Sequence, residues 1–318
     1  MGSKSDSPYD VIIIGGGPAG YTAGIYVARA NLKALLIEGA TTISQITITD
    51  MIDNYPGMPE GISGFELVQL FRKQAEKFGL EINQTDATAL ARENFDAKEV
   101  WRITAGVDYR ALSIIVATGA HWQKLGVPGE DVFTGKGVSY CATCDGPFYR
   151  NGEVAVVGGG DTAVQEAIFL TRFAQKVTVI HRRNRLRAAK ILQDRAFANS
   201  KIQFIWDSVV DEITGKELVN GVKIKDLKTG ELKNFPVDGV FVFAGLTPNT
   251  QLFQGITDLD KNGYIIADRD MHTSAEGIFA CGDCISKLLR QVVTACGDGA
   301  TAAFSAQLYV LALKGESY

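Results

Sequence analysis

Along the chain, short β-branched apolar runs alternate with longer stretches whose apolar residues recur at helical spacing. Asp10-Val-Ile-Ile-Ile-Gly15 is a run of the first kind, suited to a strand buried in a parallel sheet. It turns through Gly15-Gly16-Gly17-Pro18-Ala19-Gly20 into a helix predicted over 19–30, with Pro18 acceptable near its first position. Lys33 to Ile37 reads as the next strand and ends at Glu38, which completes a βαβ unit. The same grammar returns at Glu153-Val-Ala-Val-Val157 and Gly158-Gly159-Gly160-Asp161-Thr162-Ala163. A helix to about Phe173 and a strand from Lys176 to Ile180 follow. The repeat is of domain scale and is not a solenoid.

Between and after these units, strands are predicted at 101–104, 111–117, 201–206, 219–226, 240–244 and 277–280. Thr118-Gly119 ends the second of them, and Gly245-Leu246-Thr247-Pro248-Asn249-Thr250 is a strong breaker cluster. A helix is predicted over 300–313, in a tail that has no fingerprint of its own. The tail is expected to complete the first domain. The expected fold is α/β, with two nucleotide-binding (Rossmann-like) domains, the second inserted into a discontinuous first. The segments are 1–117, 118–246 and 247–318.

Composition narrows the classes without naming one. A chain of 318 residues holds about two domains. A net charge of −4 and a pI near 5.5 argue against a nucleic-acid surface. No apolar run approaches the roughly 20 residues that cross a bilayer. Met1 to Tyr9 is polar and lacks the apolar core of a signal peptide, so a cytoplasmic location is expected.

A glycine fingerprint means little alone, but here each copy follows a strand, opens a helix and precedes a second strand. Gly15, Gly17 and Gly20, then Gly158, Gly160 and Ala163, would let a pyrophosphate approach a helix N-terminus. Glycine turns without a ligand are the plain alternative, and the strand–turn–helix context argues against it. The residue 23 positions on separates the ligands: Glu38 in the first copy, His181 in the second. A carboxylate there suits a free ribose diol and repels a 2′-phosphate. His181-Arg182-Arg183 with Arg187 suits that phosphate, so NADP is expected at the second copy. The alternative is a solvated basic face, which the matched offset disfavours.

Five cysteines include two Cys-x-x-Cys pairs, Cys141/Cys144 and Cys281/Cys284, and a single Cys296. A zinc ribbon would bring its pairs within about 15–20 residues of each other, and these pairs are far more distant; no metal is expected. Cys141-Ala142-Thr143-Cys144-Asp145 reads as a redox dithiol followed by a carboxylate able to manage its protons. Cys281 and Cys284 read as small packing residues and Cys296 as core; His121 and His272 read as structural.

These motifs resemble the low-molecular-weight, bacterial-type thioredoxin reductases from about Tyr9 to the last helix. The resemblance rests on the first fingerprint with Glu38, Asn54-Tyr55-Pro56-Gly57, Ala117-Thr118-Gly119, the Cys-Ala-Thr-Cys-Asp segment and the second fingerprint. His181-Arg182-Arg183 with Arg187, Gly245 with Pro248-Asn249-Thr250, Gly282-Asp283 and Arg290-Gln291 complete it. It implies FAD in the first domain, NADPH in the second, a homodimer, and thioredoxin or a related redoxin as partner. By position, Pro18, Ala19, Gln45, Asn54, Thr118, Gly119, Asp283, Arg290 and Gln291 would serve FAD, with Gln291 near the flavin end. Asp161 and Thr162 would serve NADPH. Cys144 would face the flavin, Cys141 would attack the partner's disulfide, and Asp145 would be the acid–base group. The family usually has Gly-Gly-Gln where this chain has Ile43-Ser44-Gln45, so the flavin side is expected to depart from the family there. A flavin-dependent oxidase of small dithiols shares FAD and the dithiol but needs no arginine cluster. A non-enzymatic redox-sensing flavoprotein needs no hydride relay, and a peroxiredoxin-linked reductase usually adds an N-terminal redoxin domain.

Overall fold

The computed structural model describes residues 7–40, 44–49, 52, 54–96 and 98–316. The chain opens with β1 (Tyr9–Ile14), α1 (Pro18–Arg29), β2 (Ala34–Ile37), α2 (Gly64–Lys77) and β3 (Glu81–Asn83). It goes on through β4 (Ala89–Phe95), β5 (Lys98–Ala105), β6 (Val107–Val116) and β7 (Ala120–Trp122). Next come α3 (Glu130–Phe133), β8 (Val138–Ser139), α4 (Ala142–Asp145), β9 (Glu153–Val157), α5 (Asp161–Leu170), β10 (Lys176–Ile180), α6 (Lys190–Ala198) and β11 (Ile202–Ile205). The strands β12 (Ser208–Gly215), β13 (Val219–Asp226), β14 (Leu232–Pro236), β15 (Gly239–Val242) and β16 (Leu246–Pro248) follow. The chain closes with β17 (Ile278–Ala280) and α7 (Val292–Lys314). It divides into two compact units, Met1–His121 with Thr247–Tyr318, and Trp122–Leu246. The first division falls four residues later than 117/118. Thr118 and His121 are tied to Asn249 of the first unit, through Thr118 Oγ1 to Asn249 O at 2.6 Å and His121 Nδ1 to Asn249 Oδ1 at 2.7 Å.

In the first unit the sheet runs β3-β2-β1-β6-β5-β4. β6 serves two partners on one side: Val107 to Ala111 pair antiparallel with β5, and Ile114 to Val116 pair parallel with β17. β1 and β2 pair in parallel, as the βαβ reading requires. Along β1 the side chains alternate between two cores. Val11 and Ile13 pack with α1, α2 and α7, whereas Ile12 and Ile14 pack with Trp101, Phe253 and Ile265. Burial on both faces is why the strand is apolar throughout, at roughly 1.5–3 kcal/mol per fully buried large side chain.

In the second unit a parallel sheet runs β11-β10-β9-β15-β8. Val154 and Val156 face α5 and α6, while Ala155 and Val240 face the antiparallel ribbon β12-β13-β14. Both units thus carry the expected α/β architecture. Several helices differ from expectation: α3, α4 and α6 are not foreseen, and two more bear on the site. α2 is not foreseen by the strand-and-fingerprint reading, although Ser63 accepts the Glu66 N–H at 3.2 Å and bonds the Glu66 carboxylate, an S-x-x-E start signal. α7 begins at Val292, eight residues before the predicted start. Gln291 and Thr294 form a capping box there, which offsets the low helix propensity of Gly297 and Gly299.

Candidate active site

Both fingerprint loops end in a glycine that caps a helix, Gly17 for α1 and Gly160 for α5. A Cβ on Gly20 would stand 1.8 Å from the Gly15 carbonyl oxygen, so the third position of the first copy must be glycine. A Cβ on Gly160 would meet nothing within 4 Å, which leaves an open cradle at the start of α5. Each middle glycine lies against the residue that follows the second strand. A Cβ on Gly16 would stand 2.3 Å from Glu38 Cγ, and one on Gly159 would stand 2.4 Å from the His181 ring. Gly16 and Gly159 are site residues that the fingerprint spacing passes over. Their signal is contact across the βαβ unit, which sequence order does not display.

At the first loop, Glu38 is bound on three sides. Tyr21 donates to Oε1 at 2.5 Å, and Arg72 and Gln84 each donate to Oε2 at 3.0 Å. Arg72 comes from α2, so sequence reasoning missed it along with the helix. The Tyr21 hydroxyl is pushed well up by burial and then by Glu38. Thr118 and Gly119 follow β6 beside Gly15, whose Cβ would stand 2.2 Å from the Ala117 carbonyl oxygen. Asn54 and Gln291, 237 positions apart, meet as Asn54 Nδ2 donates to Gln291 Oε1 at 3.1 Å. Gln45 opens a 3-10 turn (Gln45–Ile48), and Ser44 Oγ stands 3.4 Å from the position of a Cβ on Gly17. Ile43, the other departure from the family pattern, lies outside the described residues.

Gly282 lies against Ala19, and Asp283 follows it in a loop braced by Arg290. That guanidinium stacks on Tyr264 at 4.1 Å and donates to the carbonyls of Asp283 and Ile285 at 3.4 and 3.1 Å. Asp283 Oδ1 is buried without a hydrogen-bond partner among the described residues, and burial raises its carboxyl pKa. An unpaired acceptor beside a helix-capping glycine loop fits the polar chain of FAD.

At the second loop, Arg187 N–H donates to the Gly159 carbonyl at 2.7 Å, and Asp161 accepts the Ala189 N–H at 2.6 Å. Ala163, in the first turn of α5, lies against Gly158, and Thr162 is exposed beside it. Arg182, Arg183 and Arg187 are exposed, but His181 is only 5 % exposed. Burial lowers its pKa, and Arg187, Arg182 and Arg183 lower it further. Its Nε2 is buried without a partner among the described residues. His181 is therefore the neutral floor of the loop, and the arginines form the cationic rim expected of a 2′-phosphate site. The cradle, rim and unpaired nitrogen fit NADPH.

Cys141 and Cys144 are joined in a disulfide, and both are half-buried. Cys141 caps α4, a single turn that packs against α5. The Cys144 N–H donates to Cys141 Sγ at 3.2 Å, and Thr143 Oγ1 lies 3.3 Å from the same sulfur. A hydrogen bond aimed at Cys141 favours its thiolate once the disulfide opens. Asp145 ends α4, with its N–H donating to the Cys141 carbonyl at 3.1 Å. Tyr149 is pushed up to about 12 by burial, then by Asp145 and Asp238. Cys281 and Cys284 are buried and free, and burial raises both thiols. Cys284 Sγ instead donates to the Cys281 carbonyl at 3.2 Å, so this pair serves packing.

Residues 9–299 match the family model described as pyridine nucleotide-disulphide oxidoreductase. The chain is 48% identical over 309 residues to a thioredoxin reductase of Streptomyces coelicolor, covering 96% of this chain and 95% of that protein. It is 49% identical over 314 residues to one of Listeria monocytogenes, covering 98% and 97%. The crystal structure of thioredoxin reductase from Streptococcus pyogenes superposes with a TM-score of 0.91 at 47% identity, covering 97% of this chain and all of that one. The chain belongs to the thioredoxin reductase family of pyridine nucleotide-disulphide oxidoreductases, which use NADPH and FAD to reduce a disulfide.

Proposed function

We propose that this protein reduces thioredoxin, or a closely related small redoxin, with electrons from NADPH. The observation that carries the reading is the half-buried Cys141–Cys144 disulfide, set on a turn packed against the helix of the second nucleotide loop. When bound, FAD would supply the hydride-accepting chemistry that links NADPH to a disulfide. Glu38, Asn54, Asp283 and Gln291 would hold that cofactor, with the glycine loop at Gly15, Gly17 and Gly20. Arg182, Arg183 and Arg187 would hold the NADPH phosphate at the loop of Gly158 and Gly160.

Two electrons and two protons turn the Cys141–Cys144 bond into two thiols. The Cys141 thiolate then attacks one sulfur of the partner's disulfide, and the partner's other sulfur leaves as a thiolate. Cys144 next attacks the Cys141 sulfur of the mixed disulfide, which restores the internal bond and frees the partner as a dithiol. Asp145 supplies and retrieves the protons. The protein works as a cytoplasmic homodimer. The three free cysteines suit a reducing compartment, and light scattering of the purified protein tests the dimer.

The direct test is consumption of NADPH by the purified flavoprotein in the presence of a panel of redoxins. Turnover with thioredoxin is expected. A flavin that NADPH bleaches anaerobically, with no redoxin turned over, would instead favour a dithiol oxidase or a sensor.

A further inference from the structure

The loop between β17 and α7 carries Gly282, Asp283, Arg290 and Gln291 within ten positions. Two other residues tie that loop together and belong to none of the motifs. Lys287 Nζ forms an ion pair with Asp298 Oδ2 on the second turn of α7. The side chains are only 12 % and 17 % exposed, so water and salt screen this pair far less than a surface pair. The same Asp298 oxygen accepts the Gly282 N–H at 3.2 Å. Lys287 Nζ also reaches Thr294 Oγ1 at 3.3 Å, and Thr294 closes the capping box with Gln291. Gln291 in turn accepts from Asn54. One ion pair therefore reaches both ends of the loop, the residue before Asp283 and the residue that starts α7.

We propose that Lys287 and Asp298 are positioning residues for the flavin cofactor, holding Asp283 and Gln291 in one fixed relation. The proposal rests on the reading that the first unit takes FAD. Gly282 shows what the pair opposes. Its φ of +75° and its contact with Ala19 leave the loop one tight path, and the Asp298 carboxylate fixes the Gly282 N–H on that path. The unpaired Asp283 Oδ1 would be better hydrated if the loop relaxed outward. Lys287 and Arg290 also offset part of the cost of burying the Asp283 charge, against Asp298, which adds to it. The pair thus keeps an acceptor ready for ligand in a place the free chain would abandon.

The test uses the full chain, stripped of flavin and titrated with FAD, as Lys287→Met, Asp298→Asn, the double variant and Lys287→Arg. Flavin fluorescence gives the dissociation constant, and the visible absorption band reports the flavin's surroundings. NADPH binding to the same samples reports the integrity of the second unit. Each neutral single variant should bind FAD about ten- to a hundredfold more weakly, as for a lost charged hydrogen bond, with a shifted band and unchanged NADPH binding. The double variant should resemble one single variant, because both act through one link, and Lys287→Arg should restore most of the affinity. Should Lys287→Met fail to fold, Asp298→Asn still decides, since it keeps the side chain's size and an oxygen for Gly282. FAD binding and band unchanged in Asp298→Asn overturn the proposal. A wild-type chain that takes no FAD overturns the underlying reading instead.

Discussion

Gly17 and Gly160 cap their helices with almost the same backbone, φ −90° and ψ −175° against φ −90° and ψ −178°. Beneath them the two loops diverge. The first rests on Glu38, a carboxylate held by Tyr21, Arg72 and Gln84; the second rests on His181, a buried ring with an unpaired nitrogen. In each case the middle glycine leaves room for that residue. The backbone of the turn is thus shared, and the two loops differ in the side chain below it. The wired carboxylate at one loop suits a ribose diol, and the exposed guanidiniums over a buried ring at the other suit a phosphate.

The two Cys-x-x-Cys pairs divide in the same way, one a half-buried disulfide in the second unit and one sealed in the first. Replacing Cys141 or Cys144 by Ser should abolish thioredoxin turnover, while NADPH still bleaches the flavin in the absence of air. Ala at Cys281 and Cys284 should leave turnover largely intact. A comparable collapse there would reverse the assignment of the pairs.

Arg182→Ala with Arg183→Ala tests the rim. Each lost charged hydrogen bond costs about 1.5–3 kcal/mol, roughly ten- to a hundredfold. The KM for NADPH should rise by that order with the KM for NADH nearly unchanged. Equal losses with both nucleotides would mean the arginines do not read the phosphate.

Much of this was legible in the sequence. The βαβ repeats, the offset to Glu38 and His181, the redox pair and the discontinuous first unit follow from local signals: strand periodicity, turn glycines and motif spacing. The contribution of Arg72 did not, because α2 meets Glu38 only through the fold. The burial of His181 was also hidden, since a basic run looks the same whether its first member points inward or out. Gly16 and Gly159 looked like filler between the fingerprint glycines, and their constraint exists only across the unit.

That constraint can be broken on one side at a time. Gly16→Ala should weaken FAD binding and spare NADPH, and Gly159→Ala should do the reverse. Overpacking of this kind costs about 1–3 kcal/mol, roughly five- to a hundredfold in a dissociation constant. Titration of both cofactors into both variants checks it; crossed or shared losses would show that the loops are not independent.

The smallest expected effect, and the one that separates the loops most cleanly, lies in their pH dependence. Burial raises the Asp283 pKa above 3.8, so the folded state holds that proton more tightly than the unfolded chain. Its contribution to stability is present below 3.8 and is lost as pH rises through the raised value. Above that window the apo protein carries an ionised carboxylate whose Oδ1 has no partner among the described residues. His181 has the opposite sign. Its pKa lies below 6.5, so the unfolded chain takes up the proton first; its contribution is present above 6.5 and is lost as pH falls from there. Asp283→Asn should therefore raise the melting temperature of the flavin-free protein at neutral pH, by an amount that shrinks as pH falls toward 3.8, while FAD affinity drops. His181→Gln should flatten the acid loss that begins near 6.5 and leave the neutral behaviour of the first unit alone. Melting curves of the apo variants from neutral to acid pH, set against wild type, isolate each group. If Asp283→Asn destabilised the apo protein at neutral pH, its carboxylate would be a structural support and the unpaired oxygen would not be reserved for a ligand.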